Sequence, residues 1–320
     1  MSYADVGYVG YAVETTEGDL SAPTIFLPAN AFSFDSTNEY NTPSQLRGSR
    51  DKSIKMAGPY SVSGTMGLEL VPRGIASLLV SALSAVGGVT SSPYSGGGYQ
   101  HVIVPGVATP TFAFESSAGD ILVMRYGGIR VNTLDISATF GEIVTSTWGL
   151  EGTTRAKQGS PTSESYAQVS PFNFDGVTVS RDDALLANVQ NFTWTLGNNI
   201  DRRGTLRATR SWRRTLLGTR DVGLTATMDF ENDDDYDLFL AESEFELQLK
   251  FVGDYITGSS GPKNTLVVDI PRVSYNAVNA PLNAGDFITQ DIDCTIVRPL
   301  NGDPILTLTL VNSESSVAGA

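Results

Sequence analysis

Residues 62–83, VSGTMGLELVPRGIASLLVSAL, decide the fold. From Val62 to Leu70 the apolar Val62, Met66, Leu68 and Leu70 alternate with Ser63, Thr65, Gly67 and Glu69. A period of two is that of a strand with one buried face. After Pro72 the period changes: Ile75, Leu78, Leu79, Ala82, Leu83 and Val86 fall at helical spacing, and Gly87-Gly88 close the helix. Such an apolar stripe must lie against a sheet.

Outward from this passage the same alternation recurs. It is seen at Phe112 and Phe114, Ile121 to Arg125, Ile129 to Ile136, Val177 to Val179 and Phe192 to Leu196. It returns at Leu224 to Phe230, Phe245 to Phe251 and Leu266 to Ile270. Runs of this kind, punctuated by Gly, Pro, Asn and Asp, specify antiparallel sheets and a mainly β chain. A second helix is expected near Asn232. Asp233, Asp234 and Asp235 complement its positive N-terminal end, and Tyr236, Leu238, Phe239 and Leu240 give it apolar weight.

The two strand–helix units sit in parallel settings. Thr65-Met66 lines up with Thr227-Met228 at an offset of 162. Gly141 to Thr145 lines up with Gly285 to Thr289 at an offset of 144. The Gly-, Ser- and Pro-rich stretch around Gly87 to Thr109, without a later counterpart, absorbs the difference as a loop. Long polar, basic loops precede both units, at 38–59 and 198–221, and residues 153–171 have linker composition. We therefore expect a tandem duplication, with domains at 1–157 and 172–320 joined by a linker at 158–171.

At 34.1 kDa the chain is long enough for a sizeable core. Its 35 acids against 21 bases give a net charge of -14, which opposes tight binding of nucleic acid. Charge is unevenly placed. Residues 202–220 hold Arg202, Arg203, Arg207, Arg210, Arg213, Arg214 and Arg220, and residues 229–246 are dense in acids, including Asp233, Asp234, Asp235 and Asp237. Two readings stand side by side: solvated segments paired within one molecule, or complementary faces that dock one subunit on the next. A DNA-reading loop conflicts with the net charge.

The catalytic inventory is nearly empty. A single His101 and a single Cys294 exclude a His/Cys zinc site and an internal disulfide. No G-x-S-x-G elbow, P-loop or G-x-G-x-x-G is present, and the acids at 233–237 lack the glycine and terminal Glu of a calcium loop. His101 reads as a strand-edge residue. Asn191-Phe192-Thr193 fits a glycosylation triplet, but residues 1–20 lack the basic start of a secretory signal. No 18-residue apolar run exists, so no membrane insertion is expected. We expect no enzyme, no cofactor and no metal.

The order of long polar loop, alternating strand VSGTMGLELVP and short helix RGIASLLVSAL resembles the tail tube proteins of long-tailed, siphovirus-like bacteriophages, duplicated-domain type. The strand pair in YGGIRVNTLDISATFGEIVTSTWGLEG continues the likeness, which covers most of 20–155 and, in a second copy, about 172–300. Pro271 and Pro281 depart from it inside the later strand region. The resemblance implies two tandem β-sandwich or partial-barrel domains, each with one short flanking α-helix. It implies rings stacked into a hollow tube, with neighbouring inner sheets joined, long loops reaching adjacent rings, and trimers standing in for hexamers. The partners implied are the chain itself and the tape measure, tail terminator and distal tail proteins. The dsDNA genome passes through without specific binding, and the location is the virion tail after assembly in the host cytoplasm.

On that likeness the inter-ring contacts fall to Arg47, Arg50, Lys52 and Lys55 of the first loop, to Arg202, Arg203, Arg207, Arg210, Arg213 and Arg214 of the second, and to the acids Asp233, Asp234, Asp235 and Asp237. A tail hub ring shares the fold. A different class of function, a sugar-binding adhesin, would use Trp148, Trp194 and Trp212 as stacking platforms, against their ordinary role in a core.

Overall fold

Val62–Glu69 forms a strand and Ala76–Leu83 a helix, as the change of period dictates. The computed structural model describes residues 7–317 apart from 36, 46, 47, 49, 53, 61, 84–87, 120 and 283–286. The first half runs β1 (Tyr8–Val13), β2 (Ile25–Leu27), β3 (Ala29–Asp35), β4 (Asn38–Asn41), β5 (Met56–Tyr60), β6 (Val62–Glu69), α1 (Ala76–Leu83), β7 (Val89–Pro93), β8 (Tyr99–Ile103), β9 (Phe112–Ala118), β10 (Leu122–Thr139), β11 (Thr145–Gly152) and β12 (Thr154–Gln158). The second runs β13 (Val177–Arg181), β14 (Ala184–Leu185), β15 (Val189–Gly197), β16 (Asp201–Arg203), β17 (Arg214–Leu216), β18 (Asp221–Asp229), α2 (Asp234–Leu240), β19 (Glu244–Tyr255), β20 (Lys263–Asn279), β21 (Thr289–Ile296) and β22 (Thr307–Asn312). The chain is mainly β with two short helices.

Each half stacks two antiparallel sheets that share one long bent strand. β10 bends where its ladder shifts between Tyr126 and Ile129, at Gly128 with φ of 67°. A glycine is required there, since a side chain would be strained at that φ and would strike Thr153. β20 bends at Pro271, where its ladder with β19 skips between Phe245 and Leu247. Pro271 thus sits at an irregularity, where a missing N–H is tolerated, and Pro281 lies beyond the strand's end at Asn279.

One sheet is continuous across both halves, in the order β3–β6–β11–β10–β15–β18–β21–β20. The β10–β15 ladder, from Thr133 opposite Gly197 to Thr139 opposite Asn191, joins them. Around it lie β2–β1–β9–β10–β12 on one side and β14–β13–β19–β20–β22–β8–β7 on the other. Trp148 and Trp194, both fully buried, anchor the core beneath the joint sheet with Met66, Leu134 and Leu196.

The ladders of the first half recur in the second in the same order. β3–β6–β11–β10 matches β15–β18–β21–β20, β1–β9 matches β13–β19, β4–β5 matches β16–β17, and β10–β12 matches β20–β22. Even the bulges coincide. The β10–β11 ladder skips Asn132 and the β20–β21 ladder skips Asn276, whereas β3 skips Asn30 and β15 skips Gln190. With Thr145 set against Thr289, the ladders put Leu68 rather than Met66 in the place of Met228. The sequence match at Thr65-Met66 is therefore displaced by one pleat, which leaves the same side chains on the same face.

The expected loop at 87–109 is instead the β7–β8 hairpin, and β22 of the second half adds to it. His101 stands between those two partners, fully buried, rather than at an edge. Its ring meets Ser91 Oγ at 2.8 Å and the Glu314 carbonyl at 2.9 Å, which satisfies a histidine that packs rather than reacts.

Candidate functional site: a polar sheet face with oppositely charged ends

Alternation gives the joint sheet two unlike faces. Leu68, Trp148, Ile136, Trp194, Leu224 and Ile292 point into the core. The positions between them are Thr65, Thr147, Ser137, Thr193, Thr225 and Asp291, a carpet of hydroxyls and carboxylates. Acids recur across it, Glu69, Asp135, Asp229, Asp291 and Asp293. These alternate positions carry no Lys or Arg among the described residues until one end of the sheet, where Arg130 meets Glu17 at 3.2 Å and Arg202 meets Glu151 at 3.5 Å. Short polar pairs stitch the face: Ser137 Oγ to Thr193 Oγ1 at 2.8 Å, Thr227 Oγ1 donating to Asp291 at 2.9 Å, and Asn276 Nδ2 donating to Asp293 at 2.7 Å. Partial burial raises the Asp135 carboxyl above the ordinary aspartate value.

Strand direction places the charged segments at opposite ends of this face. The basic loops leave β3 and β15 and return as β6 and β18, so both lie at the end marked by Asp35, Gly197 and Asp221. The acidic stretch follows the other end of β18, after Asp229. No ion pair joins the basic loops to the acids at 233–237 among the described residues.

The basic loops hold each other instead. Arg210 Nε donates to the Gly58 carbonyl at 2.6 Å, and Trp212 Nε1 donates to the Tyr60 carbonyl at 2.9 Å, so the second loop rests on the first. Arg207 donates within its own loop to the Trp212 carbonyl at 2.8 Å, Arg203 pairs with Asp201 at 2.8 Å, and Arg202 lies over the Trp212 ring. Arg213 and Arg214 are exposed, as are Arg50 and Lys52, while the Lys55 ammonium sits 3.4 Å over the Tyr40 ring. Arg47 lies outside the described residues.

Asp233, Asp234 and Asp237 are exposed, whereas Asp235 is not. Its carboxylate is buried and accepts from Arg181, from Tyr275 Oη at 2.9 Å and from Gln290 Nε2 at 2.6 Å. Asp235 is therefore withdrawn from the surface group in which the sequence reading put it: every third or fourth residue of a short helix faces inward, and there it meets a base. Burial first, and then the Asp235 charge, raises the Tyr275 phenol, while the Arg181 guanidinium is held above its usual value because Tyr275 and Asp235 outweigh the cost of burying it.

Arg220, grouped by sequence with the basic loop, is half-buried and donates to the carbonyls of Leu83 and Gly106, each at 3.0 Å. It caps the end of α1, and burial lowers its pKa. Asn198, not singled out by sequence, donates to the Ala82 and Val131 carbonyls at 2.7 and 2.9 Å and fixes the second half to the same helix. Burial of Trp148 and Trp194 removes both as platforms for a sugar, and burial pushes the Cys294 thiol up to about 12, an inert form.

Among the described residues no helix is long and apolar enough to cross a membrane, and no three His, Cys, Asp or Glu side chains are gathered as a metal would require. No curated protein matches the chain. A family model described as phage tail tube protein matches residues 5–296, nearly the whole of it, so the chain belongs to the phage tail tube proteins, structural components of the virion tail.

Proposed function

We propose that this chain polymerises as stacked rings into a hollow tail tube through which genome DNA is delivered, and that the polar face of the joint sheet lines the bore. The observation that carries this reading is the single continuous sheet with one core face and one hydroxyl- and carboxylate-rich face free of bases over most of its width. Phosphates moving past such a wall meet repulsion and no counterion-releasing partner, so DNA slides rather than sticks.

The recurring ladders support a tandem duplication, with 1–157 and 172–320 as the copies, 158–171 between them, and a trimeric ring of six equivalent sheets. The opposite placement of the charged segments supports axial stacking. Arg50, Lys52, Arg213 and Arg214 at one end of a ring would face Asp233, Asp234 and Asp237 of the next, and attraction there offsets the repulsion between rings of net negative charge. Tape measure, tail terminator and distal tail proteins are the further partners, with assembly in the host cytoplasm.

Negative-stain electron microscopy with mass photometry on the same sample tests the proposal. Rings or tubes of uniform bore are expected, with a ring mass of three chains. A strict monomer at high concentration, with no tubes after prolonged incubation, overturns it.

A further inference from the structure

The recurrence of the fold leaves one junction made and one open. Within the chain, β10 of the first half pairs with β15 of the second. Among the described residues β3 has no partner on the edge away from β6, and β20 has none on the edge away from β21 past Ser274. The half-buried Phe32 and Phe34 occupy the places of Phe192 and Trp194, which are 3% and 0% exposed. Beside Phe192 the cavity lined by Phe174, Val177 and Leu186 is walled by Ala138 to Phe140, the tip of β10. Its counterpart beside Phe32, about 580 Å³ and lined by Tyr8, Val9 and Leu27, has no such wall. Just past the end of β20, Leu282 is 79% exposed.

We infer that the β3 edge and the socket beside Phe32 in one copy take the Asn279–Leu282 segment of a second copy, in a register set by the internal junction. This rests on the polymerisation proposed above and names its lateral contact. The coincident bulges fix the correspondence: Asp135 to Asn279 on one strand, and Thr195 to Asp35 on the other. The internal pair Asp135–Thr195 then becomes Asn279 opposite Asp35 between copies. Ala280 follows opposite Phe34, Pro281 opposite Ser33, and Leu282 opposite Phe32.

The hydrogen-bond phase agrees with the residues present. Phe140 N donates to the Gln190 carbonyl at 3.0 Å, and Asn198 N donates to the Asn132 carbonyl at 2.7 Å. Both are directly opposed pairs, so even-numbered positions of β10 are hydrogen-bonded and odd ones are not. Pro281, in the place of Ser137, therefore falls where the ladder asks for no N–H. Ala280 and Leu282 turn toward the apolar socket, and Asn279 faces Asp35 on the polar side, in the closely spaced type of pair. The contact is head to tail, strand added to strand.

Two full-length variants, Asp35→Cys and Asn279→Cys, are mixed, assembled and mildly oxidised; the native Cys294 is buried. A disulfide-linked dimer is expected as a prominent band on a non-reducing gel, absent when either variant is oxidised alone. Ser33→Cys mixed with Asn279→Cys, shifted by two residues, is expected to lose most of that product. Equal linking in the shifted pair overturns the register, and normal tubes without linking overturn this contact while leaving polymerisation standing. Folded protein that forms no assemblies overturns both.

Discussion

Replacing Asp235 by alanine should destabilise the second half far more than replacing any other acid of its helix. The carboxylate accepts from three groups, and two of them sit in little solvent: the Arg181 side chain is 18% exposed and Gln290 is 1% exposed. Breaking a buried ion pair from one side strands the other charge at a cost of about 3–5 kcal/mol. The Gln290 amide, left without its acceptor, adds about 1 kcal/mol, and local water entry takes some back, so a loss of about 4 kcal/mol is expected. Replacing both charges, Arg181→Met with Asp235→Leu, leaves only Gln290 and Tyr275 unpartnered and should cost about 2 kcal/mol. Asp237→Ala, at an exposed position, should stay within about 0.5 kcal/mol of the parent. Urea unfolding followed by tryptophan fluorescence measures all three. If Asp235→Ala lost less than about 1 kcal/mol, or no more than Asp237→Ala, the carboxylate would not be the buried counter-ion described, and its place among the surface acids would be restored.

If the polar face lines the bore as proposed, reversing its charge with Asp229→Lys and Asp291→Lys should make tubes retain short duplex DNA at low salt, with fluorescence anisotropy showing the binding lost as salt rises; unchanged, negligible binding would move the polar face out of the bore. Arg213→Glu with Arg214→Glu should leave rings intact while tube length by electron microscopy collapses, and tubes of normal length would remove those arginines from ring stacking. Glu115 gives a pH test. Burial raises its carboxyl, but hydrogen bonds from Tyr8, Arg125 and Thr162 outweigh that and hold it below the ordinary glutamate value. The stability it contributes is then complete above the unfolded glutamate pKa and lost as pH falls through the lower folded value. Glu115→Gln should accordingly lower the urea midpoint at neutral pH and flatten its fall in acid, and an identical acid slope in the variant would disprove the assignment.

Period carried most of the fold into the sequence. Val62 to Leu70 and Phe245 to Phe251 are strands because each has a core to face, and both helices begin within three residues of where their signals lie. The β7–β8 hairpin escaped because Val89–Pro93 is exposed along most of its length, and β8, its partner, is held on the other edge by β22, some two hundred residues on. Periodicity reports neither a strand whose side chains face water nor a partner that far along the chain. The polar face was legible in principle, as the second set of alternate positions in the same strands, where Thr193, Thr195, Thr225, Thr227, Asp291 and Asp293 recur. Reading apolar positions alone passes over it. Loop contacts were beyond reach for a different reason: Arg210 and Trp212 are held by backbone carbonyls of Gly58 and Tyr60, which no residue type advertises.

Equivalent elements in the two halves differ in burial because of what lies next to them. Every residue of α1 is buried, with Asn198 and Arg220 of the second half bonded to its last carbonyls. α2, in the same place in its own half, leaves Tyr236 at 46% and Leu240 at 63% exposure. Phe32 and Phe34 stand in the same relation to Phe192 and Trp194. Local sequence does not separate Phe32 and Phe34 from Phe192 and Trp194, since all four are aromatic and all lie on core-facing positions. What separates them is that α1 and β15 each meet the other half inside one chain, α1 through Asn198 and Arg220 and β15 through β10, while Tyr236, Leu240, Phe32 and Phe34 keep more of their surface exposed. An exposed strand edge flanked by aromatics is an aggregation hazard unless its pairing is limited. Pro281 bears on that limit: in the inferred pairing it permits the short ladder with β3, and having no N–H to give it ends pairing with β21, whose last partner is Asn279.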